Sequence, residues 1–272
     1  MTTSDALDLL RFLTPDQLRE LDTLLPTPLE LIRRDPACIL SLAGLTPDPW
    51  QADLLRSSSP ERLLLCARQS GKSTAAAALI LRYLLEDDSL VLVLSRTERQ
   101  AQLLLHERGK LLWMYDRLGQ PVRARKRQEL SLTLANGSRV VALPDNPEGI
   151  VGYSNVSLLV VDEAALVPDE LYHCVRPMLA VSKGDILALS TPYGRRGWFF
   201  KEWAEGEGWD RLRVTASQCP RHDPDFLANE RMRVGERRYR QDYELAFNSM
   251  VDQLFSQEVI DAATCDDYTP LF

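Results

Sequence analysis

Cys66-Ala-Arg-Gln-Ser-Gly-Lys-Ser73 follows the apolar run Leu63-Leu64-Leu65 and precedes an alanine-rich stretch opening at Thr74. A strand, a tight loop and a helix start in that order turn backbone N–H groups toward one point, where the helix dipole adds partial positive charge. A triphosphate suits that chemistry. Ala67, Arg68, Gln69, Ser70, Gly71 and Thr74 make up the cradle and its helix entry, Lys72 reaches the β- and γ-phosphates, and the Ser73 hydroxyl ligates Mg²⁺. Cys66 stands where the pattern G-x-x-x-x-G-K-[ST] begins with glycine, so the loop alone is an imperfect match. Leu158-Leu159-Val160-Val161-Asp162-Glu163 supplies the partner it needs, a buried-type strand ending in two carboxylates as in a Walker B motif. Asp162 would hold Mg²⁺ through a water, and Glu163 would polarise the attacking water as general base. Together the two segments predict binding and hydrolysis of ATP with Mg²⁺.

Two further segments support that chemistry. In Thr46-Pro47-Asp48-Pro49-Trp50-Gln51, the Gln51 amide is both donor and acceptor and can read an adenine edge. Alone, the segment reads as a turn opening a helix. Ser190-Thr191-Pro192 closes a later strand, and ligand-sensing groups sit at such carboxyl ends in open parallel sheets. Ser190 or Thr191 could then register the γ-phosphate, the plainer reading being a helix cap.

The elements that must position these groups follow from periodicity. Strands are expected at 61–66, 90–95, 130–135, 138–143, 157–161, 185–190 and 211–216. Helices are expected at about 73–86, 97–118, 169–177 and 197–206, with charged helices from about 224 to 249. Strands alternating with helices give an α/β fold, a mostly parallel sheet covered by helices on both faces. Asn136-Gly137 between two alternating runs predicts an antiparallel hairpin at an edge or insertion. The leucines of residues 1–45, punctuated by prolines, predict a helical amino-terminal appendage. Residues 46–250 form the expected main domain, and 251–272 read as an acidic connector.

Composition sets outer bounds. The 272 residues are 45% hydrophobic with a net charge of −7, so the chain is not coated in positive charge for static nucleic-acid binding. Basic runs occur at Arg123–Arg127, Arg195-Arg196 and Arg231–Arg240, which solvated faces would also explain. No run is long enough to span a membrane. The five cysteines are dispersed and read as reduced thiols of a cytosolic protein. Cys219 and His222 have C-x-x-H spacing, but nothing nearby in sequence completes a metal site.

Gln51, the loop from Ala67 to Ser73, Val160-Val161-Asp162-Glu163-Ala164-Ala165 and Ser190-Thr191-Pro192 together resemble the ATPase domain of tailed-phage large terminases. Trp50-Gln51-Ala-Asp, Pro168-Asp-Glu-Leu-Tyr172 and Gly197-Trp198-Phe199 are similar too, so the resemblance covers roughly 46–250. It implies a P-loop NTPase fold of the ASCE, RecA-like type. It also implies a ring that drives double-stranded DNA into a procapsid, with portal protein and small terminase subunit as partners. The setting would be the cytoplasm of an infected or lysogenic bacterial host. Arg68 would contact the nucleotide phosphates, joining Lys72 and Glu163 as catalytic residues, and Ser190-Thr191-Pro192 would couple hydrolysis to movement. The sequence departs from the family at two places. The nuclease domain usual after the ATPase domain is not expected in this chain, and Val151 stands where a trans-acting arginine is usual. Arg139 or Arg125, nearby in sequence, could substitute, or hydrolysis would be slow. The competing readings are a helicase-like DNA-dependent ATPase, for which too little chain follows Ser190, and a weakly active nucleotide-binding assembly module from a decayed prophage.

Overall fold

The computed structural model describes Thr14 and residues 25–143 and 152–248. Its centre is an eight-stranded sheet in the order β3-β4-β5-β2-β6-β7-β1-β8. The strands are β1 (Glu61–Cys66), β2 (Leu90–Leu94), β3 (Ala124–Gln128), β4 (Ser131–Leu134), β5 (Arg139–Ala142), β6 (Leu158–Asp162), β7 (Asp185–Ser190) and β8 (Asp210–Val214). The run β5-β2-β6-β7-β1-β8 is parallel throughout. β2 and β6 are buried along their whole length, the signature of strands covered on both faces.

Helices before β6 pack on one face of the sheet. They are α1 (Pro28–Arg34), α2 (Cys38–Leu42), α3 (Pro49–Arg56), α4 (Lys72–Leu84), α5 (Glu98–His106) and α6 (Leu111–Arg117). α4 is the keystone, burying Ala75 through Leu81 against β1, β2 and β6 side chains. Leu79, Ile80 and Leu81 are each worth about 1.5–3 kcal/mol of burial. Residues expected in an appendage reach this same core, with Ile32, Ile39 and Leu40 packed beside α4. The remaining helices are α7 (Asp169–Val175), α8 (Leu179–Ser182), α9 (Gly197–Ala204), α10 (Pro224–Val234) and α11 (Glu236–Asp242). α7, α9 and α11 cover the other face through Tyr172, Trp198, Phe199 and Tyr239. Tyr172 stacks on Trp198 at 3.8 Å between ring centroids, and the Asp169 carboxylate accepts the Trp198 N–H at 2.8 Å. The Pro168–Tyr172 and Gly197–Phe199 motifs therefore lock α7 to α9.

Two expectations need correcting, and one strand was not expected. The helix expected over 97–118 is two, because Gly109 at φ 77° breaks it into α5 and α6. The charged helices from 224 break at Gly235 and end at Asp242, short of 249. The basic run around Arg125 is a strand, β3, which pairs antiparallel with β4 and extends the hairpin into a three-stranded edge. Asn136-Gly137 turns that hairpin as expected, with Gly137 at φ 88°.

Candidate functional site

β1 and β6 deliver the two halves of the site to the same end of the sheet, one strand apart, with β7 between them. After Cys66 the loop is pinned from outside. Ala67 N–H donates to Val214, Arg68 N–H to the Asp242 carbonyl, and the Arg68 guanidinium meets the Asp242 carboxylate at 3.2 Å. Gln69 and Gly71 take left-handed backbone at φ 55° and 89°. At φ 89° an L side chain on residue 71 would be strained, and its Cβ would crowd Gln51 Nε2 at 2.9 Å, so glycine suits the position. The N–H groups of Gln69, Gly71, Lys72 and Ser73 have no acceptor among the described residues. Such a nest of converging, unsatisfied donors at a helix start is an anion cradle. Cys66 is tolerated at the first position because it ends β1 in strand pairing with Val214. Burial pushes its thiol up to about 12, so it stays protonated and inert.

Lys72 and Glu163 meet directly, with Nζ 2.8 Å from Oε1. Glu163 is a non-glycine residue in the left-handed region, φ 51° and ψ 43°, and this turn swings its carboxylate toward the loop. Burial works against the Lys72 ammonium, but Glu163 and Asp162 outweigh it and hold its pKa above the ordinary lysine value. Asp162, 6% exposed, is pushed up to about 6 by burial, with Lys72 opposing and Glu163 reinforcing the rise. The Ser73 hydroxyl has no partner among the described residues and starts the helix beside Lys72. Ser73 and Asp162 thus offer oxygen donors suited to Mg²⁺.

A cavity of about 440 Å³ opens in front of this pair, lined by Arg68, Gln69, Lys72, Glu163, Thr191 and Arg238, among others. Of the two hydroxyls expected to sense phosphate, Thr191 lines the cavity while donating to the Cys66 carbonyl at 3.1 Å. Ser190 is buried and accepts the Ala165 N–H at 3.2 Å, tying β7 to the turn after Glu163. Gln51 sits against the loop, its Oε1 accepting the Asp48 N–H at 2.9 Å and its Nε2 donating to the Gly71 carbonyl at 3.2 Å. One amide hydrogen remains for a base, and Gln51 lines a second cavity of about 540 Å³ beside Gly71 and Thr74.

Several contributors were not visible in the sequence reading. Arg221 bridges the Asp48 carboxylate and the Ser70 carbonyl, clamping the loop on one side as Asp242 does on the other. Lys110 donates to Thr74 Oγ1 at 3.1 Å, and burial lowers its pKa. None of the three lies near the loop in sequence, which leaves no spacing to read. Val151 falls outside the described residues. Arg139 begins β5 opposite Leu90, at the far end of β2 from the site, so it does not serve this site in cis. Among the described residues no cluster of His, Cys, Asp and Glu completes a metal centre around Cys219 and His222.

This sheet order, with a phosphate-type loop after β1 and an Asp-Glu pair after β6, defines a P-loop NTPase fold. The family described as terminase large subunit, T4likevirus-type, N-terminal, matches residues 63–261, and the chain belongs to it. The large terminase subunit of Escherichia phage T5 is 28% identical over 230 residues, covering 80% of this chain and 51% of that protein. The chain spans about half the length of the curated relatives it matches. The large terminase ATPase domain of Thermus phage P74-26 superposes with a TM-score of 0.67 at 19% identity, over 77% of this chain and 97% of that one. The large terminase of a thermophilic bacteriophage, in complex with ATP-gamma-S, gives 0.58 at 13% identity over 74% and 52%. At these identities the structural likeness speaks for the fold alone.

Proposed function

We propose that this chain binds ATP with Mg²⁺ and hydrolyses it as the motor part of a large terminase that moves double-stranded DNA into a procapsid. The observation that carries the reading is the 2.8 Å contact between Lys72 and Glu163 at the mouth of an unsatisfied N–H cradle. The ATP-gamma-S complex of the thermophilic-phage terminase, a protein of similar fold, agrees with it. The loop N–H groups and Lys72 hold the phosphates, and Gln51 faces the base. Ser73 and Asp162 would hold Mg²⁺, which would supply positive charge to neutralise the phosphates there. Lys72 turns from Glu163 to the phosphates, which frees Glu163 to take the proton of a water. That water's oxygen bonds to the γ-phosphorus as the bond to the β-phosphate bridging oxygen breaks, leaving ADP and phosphate. Arg68 adds positive charge beside the transferred group. Ser190 and Thr191 join the turn after Glu163 to Cys66 at the loop, a route by which phosphate loss can reach α9.

Residues 46–250 are the ATPase domain in this reading, and 251–272 lead toward a further domain. Portal protein, small subunit and neighbouring copies in a ring are the partners it calls for. ATP hydrolysis measured alone, with double-stranded DNA and with procapsids tests the proposal. Turnover that rises as these components are added supports it. A chain that binds nucleotide but never turns it over, with all components present, fits the assembly-module reading instead.

A further inference from the structure

β2 lies directly against β6 in parallel register, with Leu94 opposite Val161. The chain leaving β2 at Ser95 and Arg96 therefore starts from the strand next to the one that carries Asp162 at its end and Glu163 just after it. Neither β1 nor β6 supplies this flank of the site. Two observations mark the segment Arg96–Gln100 as unfinished without a ligand. Gln100 Oε1 is buried without a partner and Gln100 lines the 440 Å³ cavity. Arg96 lines the same cavity, and its guanidinium has no ion pair or hydrogen bond among the described residues. The cavity's other cations are engaged, Arg68 and Arg238 with Asp242 and Lys72 with Glu163.

We propose that this segment is the third wall of the hydrolytic site, with Arg96 a catalytic residue acting in cis on the γ-phosphoryl group and Gln100 orienting the attacking water beside Glu163. The inference rests on the proposed ATP hydrolysis. Charge spreads over the γ-phosphoryl oxygens in the transition state, so a guanidinium aimed there accelerates transfer without tightening ground-state binding. A glutamine carbonyl next to the general base accepts the water's second hydrogen and fixes its line of attack.

Paired binding measurements on the intact chain separate this role from others, using ADP with Mg²⁺, and ADP with Mg²⁺ and aluminium fluoride, which mimics the transferring phosphoryl group. Arg96→Ala should weaken the aluminium-fluoride complex by about 100-fold and leave ADP affinity unchanged. Its kcat should fall while KM holds, and Arg96→Lys should recover part of the loss. Gln100→Ala should lower kcat by about 100-fold, at the weaker end for positioning a proton transfer. Arg96 is exposed, so thermal unfolding should not move. If Arg96→Ala binds both complexes like the native chain, or weakens both equally, the catalytic role is wrong while ATP hydrolysis stands. If the native chain itself binds no nucleotide, the proposed function falls and this inference with it.

Discussion

At the amino end of β1 the Arg62 guanidinium, 1% exposed, meets Asp185 at 2.6 Å and the Tyr83 hydroxyl at 3.2 Å. Just beyond its carboxyl end, Lys72 meets Glu163 at 2.8 Å with Asp162 alongside. Each end keeps charge out of water, and each leaves polar atoms unpaired, Arg62 Nε and Nη1 at one and the loop N–H groups at the other. What separates them is access. The Arg62 side chain is 1% exposed although its partner Asp185 keeps 24%, whereas the Lys72 cluster faces a cavity of about 440 Å³. Unsatisfied groups that nothing can reach are a cost of folding; those a ligand can reach make a candidate binding site.

Substitutions should split the two ends cleanly. Glu163→Gln keeps the shape but cannot take a proton, so turnover should fall about 1,000-fold with ATP still bound. Lys72→Ala should weaken Mg·ATP binding about 100-fold, the loss of a charge-assisted phosphate contact. Neither change should lower the urea midpoint much. Asp185→Ala should do the reverse, costing about 3 kcal/mol by stranding the buried Arg62 and leaving ATP affinity untouched. Loss of nucleotide binding in Asp185→Ala, at temperatures where it is folded, would erase the distinction between the ends.

A smaller effect sharpens the comparison through pH. Folded Asp162 keeps its proton up to about pH 6, whereas the unfolded residue releases it near pH 4. The folded chain therefore binds more protons in that window, and this group's contribution to stability declines as pH rises through it. Asp162→Asn carries no charge to bury, so its stability advantage in urea should be largest near neutral pH and shrink as pH falls below about 6. Mg²⁺-dependent nucleotide binding by the native chain should weaken over the same fall, since the protonated acid is a poor partner for the metal's water.

Much of the site was readable because local rules fix it. The loop needs a strand, a glycine and a helix start within a few residues, and the Asp-Glu pair needs only the end of an apolar strand. The Asn136-Gly137 hairpin was readable for the same reason. The clamps were not. Arg221 lies 173 residues from Asp48, and Asp242 reaches Arg68 from the far end of the domain. Arg96 and Gln100 carry no motif, and only the folded chain brings them to the cavity that Lys72 and Glu163 also line. Strand order is set by packing of the whole sheet, and no spacing within the chain encodes it.

The most direct test is a structure of the Glu163→Gln chain soaked with ATP and Mg²⁺. The triphosphate should lie in the cradle with its γ-phosphate between Lys72 and residue 163, and with the metal by Ser73 and Asp162. Nucleotide seated elsewhere, or a γ-phosphate out of reach of residue 163, would contradict the account.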